Sequence, residues 1–522
     1  MRVLLIASNR ARFPYAVAPL GAACVTGMLR LSGHEAQLLD LCFETSAIRA
    51  IGKAVRRFKP DVIGLSIRNL DNCSFHHPHV YYDDDREVVA AIRHWTHAEI
   101  IAGGSAVSVG GPRLLEHLGV RYGIAGEGER SVLSLLKALE TGADFGNIPG
   151  LLGVVPSGCR TVIPPRFDCD LSRLPMNTCE GIEYGKYYKT GGFVSVQTKR
   201  GCSFSCIYCN YPALEGSCYR LRPPEQCVDD MERIVTDLGL RDFFFVDSVF
   251  NIPSEHALVI CNEIIRRELR IRWMAYCNPI GLDREMARAF RRSGCAGVEL
   301  GLDAATDKML RNMGKCFSQR DVASAFEALR AERLPYAVFL LFGGPDETWD
   351  DISQTRAFFD QCCTANAVFA SLGIRIYEDT PIHAIGLRES RINAQTDLLK
   401  PTYYVSEQLG SRPVERLDAL SCQTNTWITP TDWDSLLIRA IQRTAGRLRL
   451  IPGWKGVSGY GKHMRRLIHG RQTRQGRHCR RGRCRTHRGN YPGRPRSERR
   501  IGGTALRSRR LSAGLLAQRG PL

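Results

Sequence analysis

Three cysteines set the narrowest limits on what this chain can become. Gly201 to Cys209 reads GCSFSCIYC, which places Cys202, Cys206 and Cys209 at C-x-x-x-C-x-x-C spacing. The apolar run Phe193-Val194-Ser195-Val196 before them reads as a strand, so the three thiols share one tight loop at a strand end. Three thiolates so placed can hold three corners of a 4Fe–4S cluster, whereas electron-transfer clusters take four. Cys218 and Cys227 follow nine and eighteen residues after Cys209, outside a cluster-like spacing. The fourth iron is then open to bind a substrate. A zinc site and inert buried thiols are the competing readings of the cysteines alone.

The 522 residues, 44% of them hydrophobic, allow about three domains with ample cores. Twenty cysteines are scattered through a chain that runs from Met1-Arg2 straight into VLLIA, with no cleavage-site pattern. Thiols kept for metal in a reducing cytoplasm are therefore expected, rather than disulfides. No run of eighteen uncharged apolar residues occurs, so no membrane span is expected. The net charge of +19 is local. Residues 462–522 hold eighteen Arg and one Lys against one Glu, a net of +18, which leaves +1 for the other 461 residues. Nucleic-acid binding can rest only on that Arg-rich tail, which reads as disordered. His478, Cys479, Cys484 and His487 within it mimic a zinc site.

Residues 1–140 alternate strand-like runs (3–7, 37–41, 61–67, 99–102, 120–124) with helical patterns (19–31, 44–58, 84–94, 129–140), and Gly33 is placed to end the first helix. Such alternation predicts a doubly wound parallel sheet that binds ligand beyond its carboxyl ends. The loops there are Ser66-Ile67-Arg68-Asn69, Gly103-Gly104-Ser105 and Gly126-Glu127-Gly128. Their glycines let backbone approach a ligand. No G-x-G-x-x-G follows the first strand, which argues against a dinucleotide.

Residues 141–190 read as a connector rich in Pro and Tyr. Strand–helix alternation resumes over 191–385, with strands at 193–198, 242–247, 271–277, 296–301, 336–342 and 367–376. Barrel chemistry sits at the carboxyl ends of strands. Asp247 and Ser248, Cys277 and Asn278, Gly343-Gly344-Pro345, and Arg375 with Tyr377 are thus expected at the mouth, and Glu299 inside the barrel. Helix capping is the plain alternative for Asp247, and a structural salt bridge for Glu299. Residues 386–460 read as a small helical region with Trp427, Trp433 and an amphipathic stretch at 436–448.

The cysteine loop resembles the signature of the radical S-adenosylmethionine (SAM) enzymes, with Tyr208 in the aromatic position before the third cysteine. PLGAACVTGMLRLSGHEAQLLD, DVIGLSI, IIAGGS and GEGE resemble the cobalamin-binding domain that precedes many of them. The likeness covers about residues 1–385. It implies an α/β chain: a Rossmann-like cobalamin-binding domain (1–140), a linker (141–190), a partial (β/α)6 TIM barrel (191–385), a helical C-terminal domain (386–460) and the tail (461–522). SIRNLDN and GCSFSCIYCNYP look closest to a subgroup associated with lipid biosynthesis.

The resemblance implies that a cluster on the three cysteines binds SAM and cleaves it to a 5′-deoxyadenosyl radical. It gives Tyr208, Asp247, Ser248, Glu299, Gly343, Gly344 and Pro345 to SAM. It gives Ser66, Arg68, Asn69, Gly103, Gly104, Gly126, Glu127 and Gly128 to cobalamin. The D-x-H-x-x-G motif that supplies a cobalt ligand elsewhere is absent, so His34 is expected on the surface and Arg68 or Asn69 below the cobalt. Arg375 and Tyr377 are candidates to touch substrate or cofactor. C-methylation of a small molecule or lipid, with a flavodoxin or ferredoxin as electron donor, is the expected activity. Radical cyclisation, oxidation or rearrangement is the alternative with the same cofactors. A sensor that binds nucleic acid through the tail is the alternative of another class. Methylthiolation of tRNA normally needs a further cysteine-rich domain, a context that Cys24, Cys42 and Cys73 lack.

Overall fold

Two parallel sheets face each other across their carboxyl ends. The computed structural model describes residues 1–154, 160–177, 181–424, 426–433, 435–449 and 454. The Arg-rich tail and its Cys/His group lie outside the described residues. The described residues belong to one compact unit.

The first sheet holds β1 (Arg2–Ala7), β2 (Glu35–Asp40), β3 (Val62–Ser66), β4 (Glu99–Gly103) and β5 (Tyr122–Ile124), all parallel. The helices between and after them are α1 (Leu20–Leu31), α2 (Ala47–Phe58), α3 (Tyr82–Trp95), α4 (Ser105–Leu118) and α5 (Gly128–Thr141). Val3 to Ala7 and Val62 to Leu65 are buried without alternation, as strands covered on both faces must be. Gly33, at φ +83°, follows α1 in the left-handed region. The strand order β2-β1-β3-β4-β5 changes direction between β1 and β3, which opens a crevice at the carboxyl ends there.

Two features depart from the sequence reading. Helix α4 is hidden in the sequence because Gly110-Gly111-Pro112 interrupts its pattern; at Gly111 (φ 55°, ψ −149°) the helix kinks. The connector is not plain loop. Its β6 (Leu151–Val154) and β7 (Arg160–Val162) add an antiparallel hairpin to the edge of the sheet at β5.

The second sheet begins at β8 (Val194–Val196). A short antiparallel pair follows, β9 (Lys199–Arg200) with β10 (Arg220–Leu221). Then come β11 (Asp242–Phe245), β12 (Arg272–Cys277), β13 (Cys295–Asp303), β14 (Tyr336–Phe342) and β15 (Ala367–Leu372). A second short pair joins β16 (Ile374–Arg375) to β17 (Tyr403–Tyr404). The expected six barrel strands become seven, because β18 (Trp427–Ile428), from the C-terminal region, pairs in parallel with β15. Two residues are too few to show a period. The order β18-β15-β14-β13-β12-β11-β8 leaves both end strands unpaired on their outer edges, so the barrel is open. Val298, Leu300 and Leu302 pack outward into the main core with helix residues such as Phe326, while Glu299 between them points inward.

Buried ion pairs join the two sheets. Arg200 reaches Glu129 (2.6 Å) and Glu127 (3.4 Å), Arg220 pairs with Glu127, and Arg375 meets Asp71 at 2.9 Å. No side chain among these exceeds 9% exposure, so solvent screening reaches none of them.

Candidate active site

The cysteine loop leaves β8 and is pinned from several sides. Gly201 has φ +90°, and a Cβ there would collide with the Cys218 carbonyl oxygen, so this entry to the loop requires glycine. Cys202 N–H donates to the Gly216 carbonyl (3.1 Å), Ile207 N–H to that of Met313 (3.1 Å), and Ser248 Oγ to that of Gly201 (2.9 Å). Cys202 is buried; Cys206 and Cys209 are half-buried. Burial raises the Cys206 thiol and pushes Cys209 up to about 11. Cys227 is buried in the helix Pro224–Leu238, and Cys218 is exposed beyond the loop. Among the described residues no three Cys, His, Asp or Glu side chains converge on one ion. A four-iron cluster, which bonds each thiolate to a separate iron, asks for no such convergence.

Tyr208 points to the end of β13. Its hydroxyl donates to Asp303 Oδ2 at 2.7 Å, Lys315 Nζ donates to the same hydroxyl at 3.2 Å, and Lys315 pairs with Asp303 at 2.5 Å. Burial raises the Tyr208 hydroxyl, and the Asp303 charge adds to it. Sequence reasoning missed Asp303 and Lys315. The available signals were Asp303 in GLDAA at a strand end and Lys315 directly after the helix-breaking Gly314.

Several residues expected to touch SAM are engaged elsewhere. Asp247 is fully buried. Its oxygens accept from Thr198 N–H (2.7 Å), Thr198 Oγ1 (2.6 Å), Lys199 N–H (3.3 Å) and Lys199 Nζ (3.2 Å). It ties β11 to the turn after β8 and has no lone pair free for a substrate amine. Ser248 is spent on Gly201. The N–H groups of Gly343 and Gly344 both donate to Glu347 Oε2, and the Pro345 carbonyl accepts from Asn312 Nδ2 (2.9 Å), so this turn is closed on itself. Arg375 is a domain clamp: it donates to Asp71 and to the carbonyls of Ile376 (2.6 Å) and Leu398 (2.9 Å). Glu299 faces the barrel interior and accepts from Trp454 Nε1 at 3.1 Å.

Glu347 carries a pH prediction. Burial pushes its carboxyl up to about 8, against the opposing pull of the two glycine N–H groups. Between about pH 4.5 and about pH 8 the folded chain holds a proton that the unfolded chain has lost, so the contribution to stability falls as pH rises. Glu347→Gln keeps the accepting oxygen and removes the titration. Its thermal unfolding is expected to lie above that of the wild type at about pH 8, with the gap closing towards about pH 4.5.

A cavity of about 560 Å³ lies over the carboxyl ends of the first sheet and under the second. Ser66, Arg68, Asn69, Gly103, Gly104, Gly126, Glu127 and Gly128 all line it, as do Tyr211 and Tyr377 from the barrel side. A Cβ on Gly103 would meet nothing closer than 3.9 Å, so bare backbone forms that part of the floor. Gly104 (φ +100°) lies against the Ile67 carbonyl, which a Cβ would strike. Among the described residues no carboxylate pairs with Arg68; burial raises the Tyr15, Tyr211 and Tyr276 hydroxyls, and the Arg68 charge opposes that rise only in part. Glu127 is held by Arg200 and Arg220 and serves the rim. His34, beside the Met1 amine (3.4 Å), precedes β2 at the opposite end of the sheet. This cradle suits a large planar ligand laid on backbone. Gly104→Ala is expected to cut cobalamin retention by about tenfold, equal to about 1.4 kcal/mol, measured by cobalamin absorbance after reconstitution and desalting.

A second cavity, of about 360 Å³, occupies the open barrel. Cys73 lines both cavities, and its Sγ lies 3.2 Å from the Tyr377 hydroxyl.

A three-cysteine loop at the mouth of an open parallel barrel defines the radical SAM class. Two family models match: "Radical SAM superfamily" over residues 196–359 and "B12 binding domain" over residues 8–136. The chain belongs to the radical SAM enzymes that carry an N-terminal cobalamin-binding domain. It is 28% identical over 439 residues to a tryptophan 2-C-methyltransferase of Streptomyces laurentii, covering 72% of each chain. It is 26% identical to a hopanoid C-3 methylase of Methylococcus capsulatus, over 64% of this chain and 62% of that protein. The fold is similar to that of the methyltransferase TsrM from Kitasatospora setae, solved with cobalamin and a 4Fe–4S cluster (TM-score 0.77, 24% identity, 91% of this chain and 100% of that one). No helix among the described residues is long and apolar enough to cross a membrane.

Proposed function

We propose that this chain is a cobalamin-dependent radical SAM enzyme that methylates a carbon atom of a small molecule. The supporting observation is the shared wall at Cys73: this one side chain lines both the cradle over the first sheet and the cavity in the barrel, and Asn210 and Tyr211, which follow Cys209, line the cradle. Cluster, SAM and cobalamin together supply a reductively cleavable sulfonium and a methyl carrier. Cys202, Cys206 and Cys209 would hold the cluster. The Tyr208–Asp303–Lys315 group, at the end of β13, would orient SAM. Gly103, Gly104, Ser66 and Gly126 would carry cobalamin on backbone, with Arg68 or Asn69 against its lower face. Neither side chain is an imidazole, so this loop would supply no histidine donor to the metal. Tyr377 and Cys73 stand where cofactor and substrate would meet. The chain is expected to work in the cytoplasm with a flavodoxin or ferredoxin as electron donor.

The test is anaerobic reconstitution with iron, sulfide and cobalamin, followed by reaction with methyl-labelled SAM and dithionite. L-Tryptophan and a hopanoid, the substrates that two relatives' names print, serve as first substrates. Label in a carbon-methylated product is the expected result. Cleavage of SAM with no methyl transfer to a turned-over substrate favours cyclisation or oxidation; one relative is an anaerobic magnesium-protoporphyrin IX monomethyl ester cyclase of Rubrivivax gelatinosus. A fully loaded protein that consumes no SAM defeats the proposal.

A further inference from the structure

Rings and aliphatic groups wall most of the barrel cavity, among them Phe193, Met274, Phe339, Phe369 and Ile428. Glu299 interrupts them from the fifth position of β13, 6% exposed. Its Oε1 accepts from Trp454 Nε1, and no cation pairs with it among the described residues. Arg449, also on the wall, is already taken by Asp242 and by the Tyr188 and Gly192 carbonyls (3.0 Å each). Tyr276, directly across from Glu299 on β12, is 42% exposed although it lies within the barrel. The carboxylate therefore looks onto free space, not packed core. A buried carboxylate without a cation is disfavoured in its charged form. Here burial pushes Glu299 up to about 7.

Aromatic walls around one carboxylate make an acceptor site that recognises ammonium or ring N–H groups. The volume of about 360 Å³ falls near the lower end of ligand pockets, roughly 300–1,000 Å³, and suits one or two rings. Resting on the methyl-transfer reading above, we infer that Glu299 anchors the substrate, and that the substrate is a compact aromatic molecule bearing a hydrogen-bond-donating nitrogen, not a hydrocarbon lipid. The acid that the family resemblance gave to SAM serves instead as the specificity determinant.

The experiment measures equilibrium binding of tryptamine, naphthalene and palmitate to the reconstituted full chain, for the wild type, Glu299→Gln and Glu299→Leu. The wild type is expected to bind tryptamine at least about tenfold more tightly than naphthalene or palmitate. Glu299→Leu is expected to erase that preference while cluster and cobalamin spectra and SAM affinity stay unchanged, with Glu299→Gln between the two. Equal binding of tryptamine and naphthalene by the wild type overturns the inference, a result that needs no variant to fold. So does tighter binding of palmitate, or a Glu299→Leu chain that loses SAM affinity and keeps tryptamine. Binding is read without turnover, so failure here stands apart from failure of methyl transfer.

Discussion

Cys206→Ala protein, reconstituted anaerobically, is expected to bind little iron and sulfide and to cleave no SAM. Its cobalamin uptake is expected to match the wild type, because the cradle of Gly103 and Gly104 lies in a different sheet. Three ligands leave no reserve: Cys218 is exposed beyond the loop and Cys227 is locked in a helix core, so neither can replace the missing thiolate. Cys218→Ala, treated in the same way, is expected to load a full cluster. Iron and sulfide analysis with electron paramagnetic resonance checks both. A full, SAM-cleaving cluster in Cys206→Ala removes the basis for the site.

Asp247→Ala is expected to destabilise the fold by about 3–5 kcal/mol, the cost of breaking a buried ion pair from one side. Lys199 and Asp247 are both 0% exposed. With the carboxylate gone, the Lys199 ammonium keeps only the Phe250 carbonyl at 2.9 Å and the face of the Phe250 ring, 5.4 Å from its centroid. Thr198 N–H and hydroxyl lose their acceptor as well. The loss is a large share of the ~5–15 kcal/mol that stabilises a typical domain. Thermal unfolding of the apoprotein checks it, and the paired change Lys199→Met with Asp247→Leu should recover much of the difference. If Asp247 instead held the SAM amine, its alanine variant would unfold like the wild type and lose SAM affinity alone.

What could be read from the sequence was local. The cysteine loop and the five strands of the first sheet are contiguous patterns, and each appears where spacing and apolar runs place it. Helix α4 escaped because Gly110-Gly111-Pro112 reads as a break, although the chain only kinks there. The seventh barrel strand escaped because Trp427-Ile428 is too short to carry a pattern. The site residues found engaged with other side chains share another cause. Position at a strand end says that Asp247 or Arg375 lies near the mouth, but not what it holds. Their partners are 48 and 304 residues away along the chain, a distance that no local pattern spans. Glu299 was readable as inward-facing from alternation along β13. Its neighbour Trp454 comes from another region altogether.

The arginine–carboxylate clasps between the sheets carry a consequence for anyone recombining such enzymes. Glu127, Glu129 and Asp71 belong to one lobe, and Arg200, Arg220 and Arg375 to the other. A chimera that grafts this N-terminal lobe onto a foreign barrel would strand three acids in a dry seam unless the matching arginines travelled with it. The two lobes are interlocked as lock and key cut from one blank, and would have to be exchanged as a set.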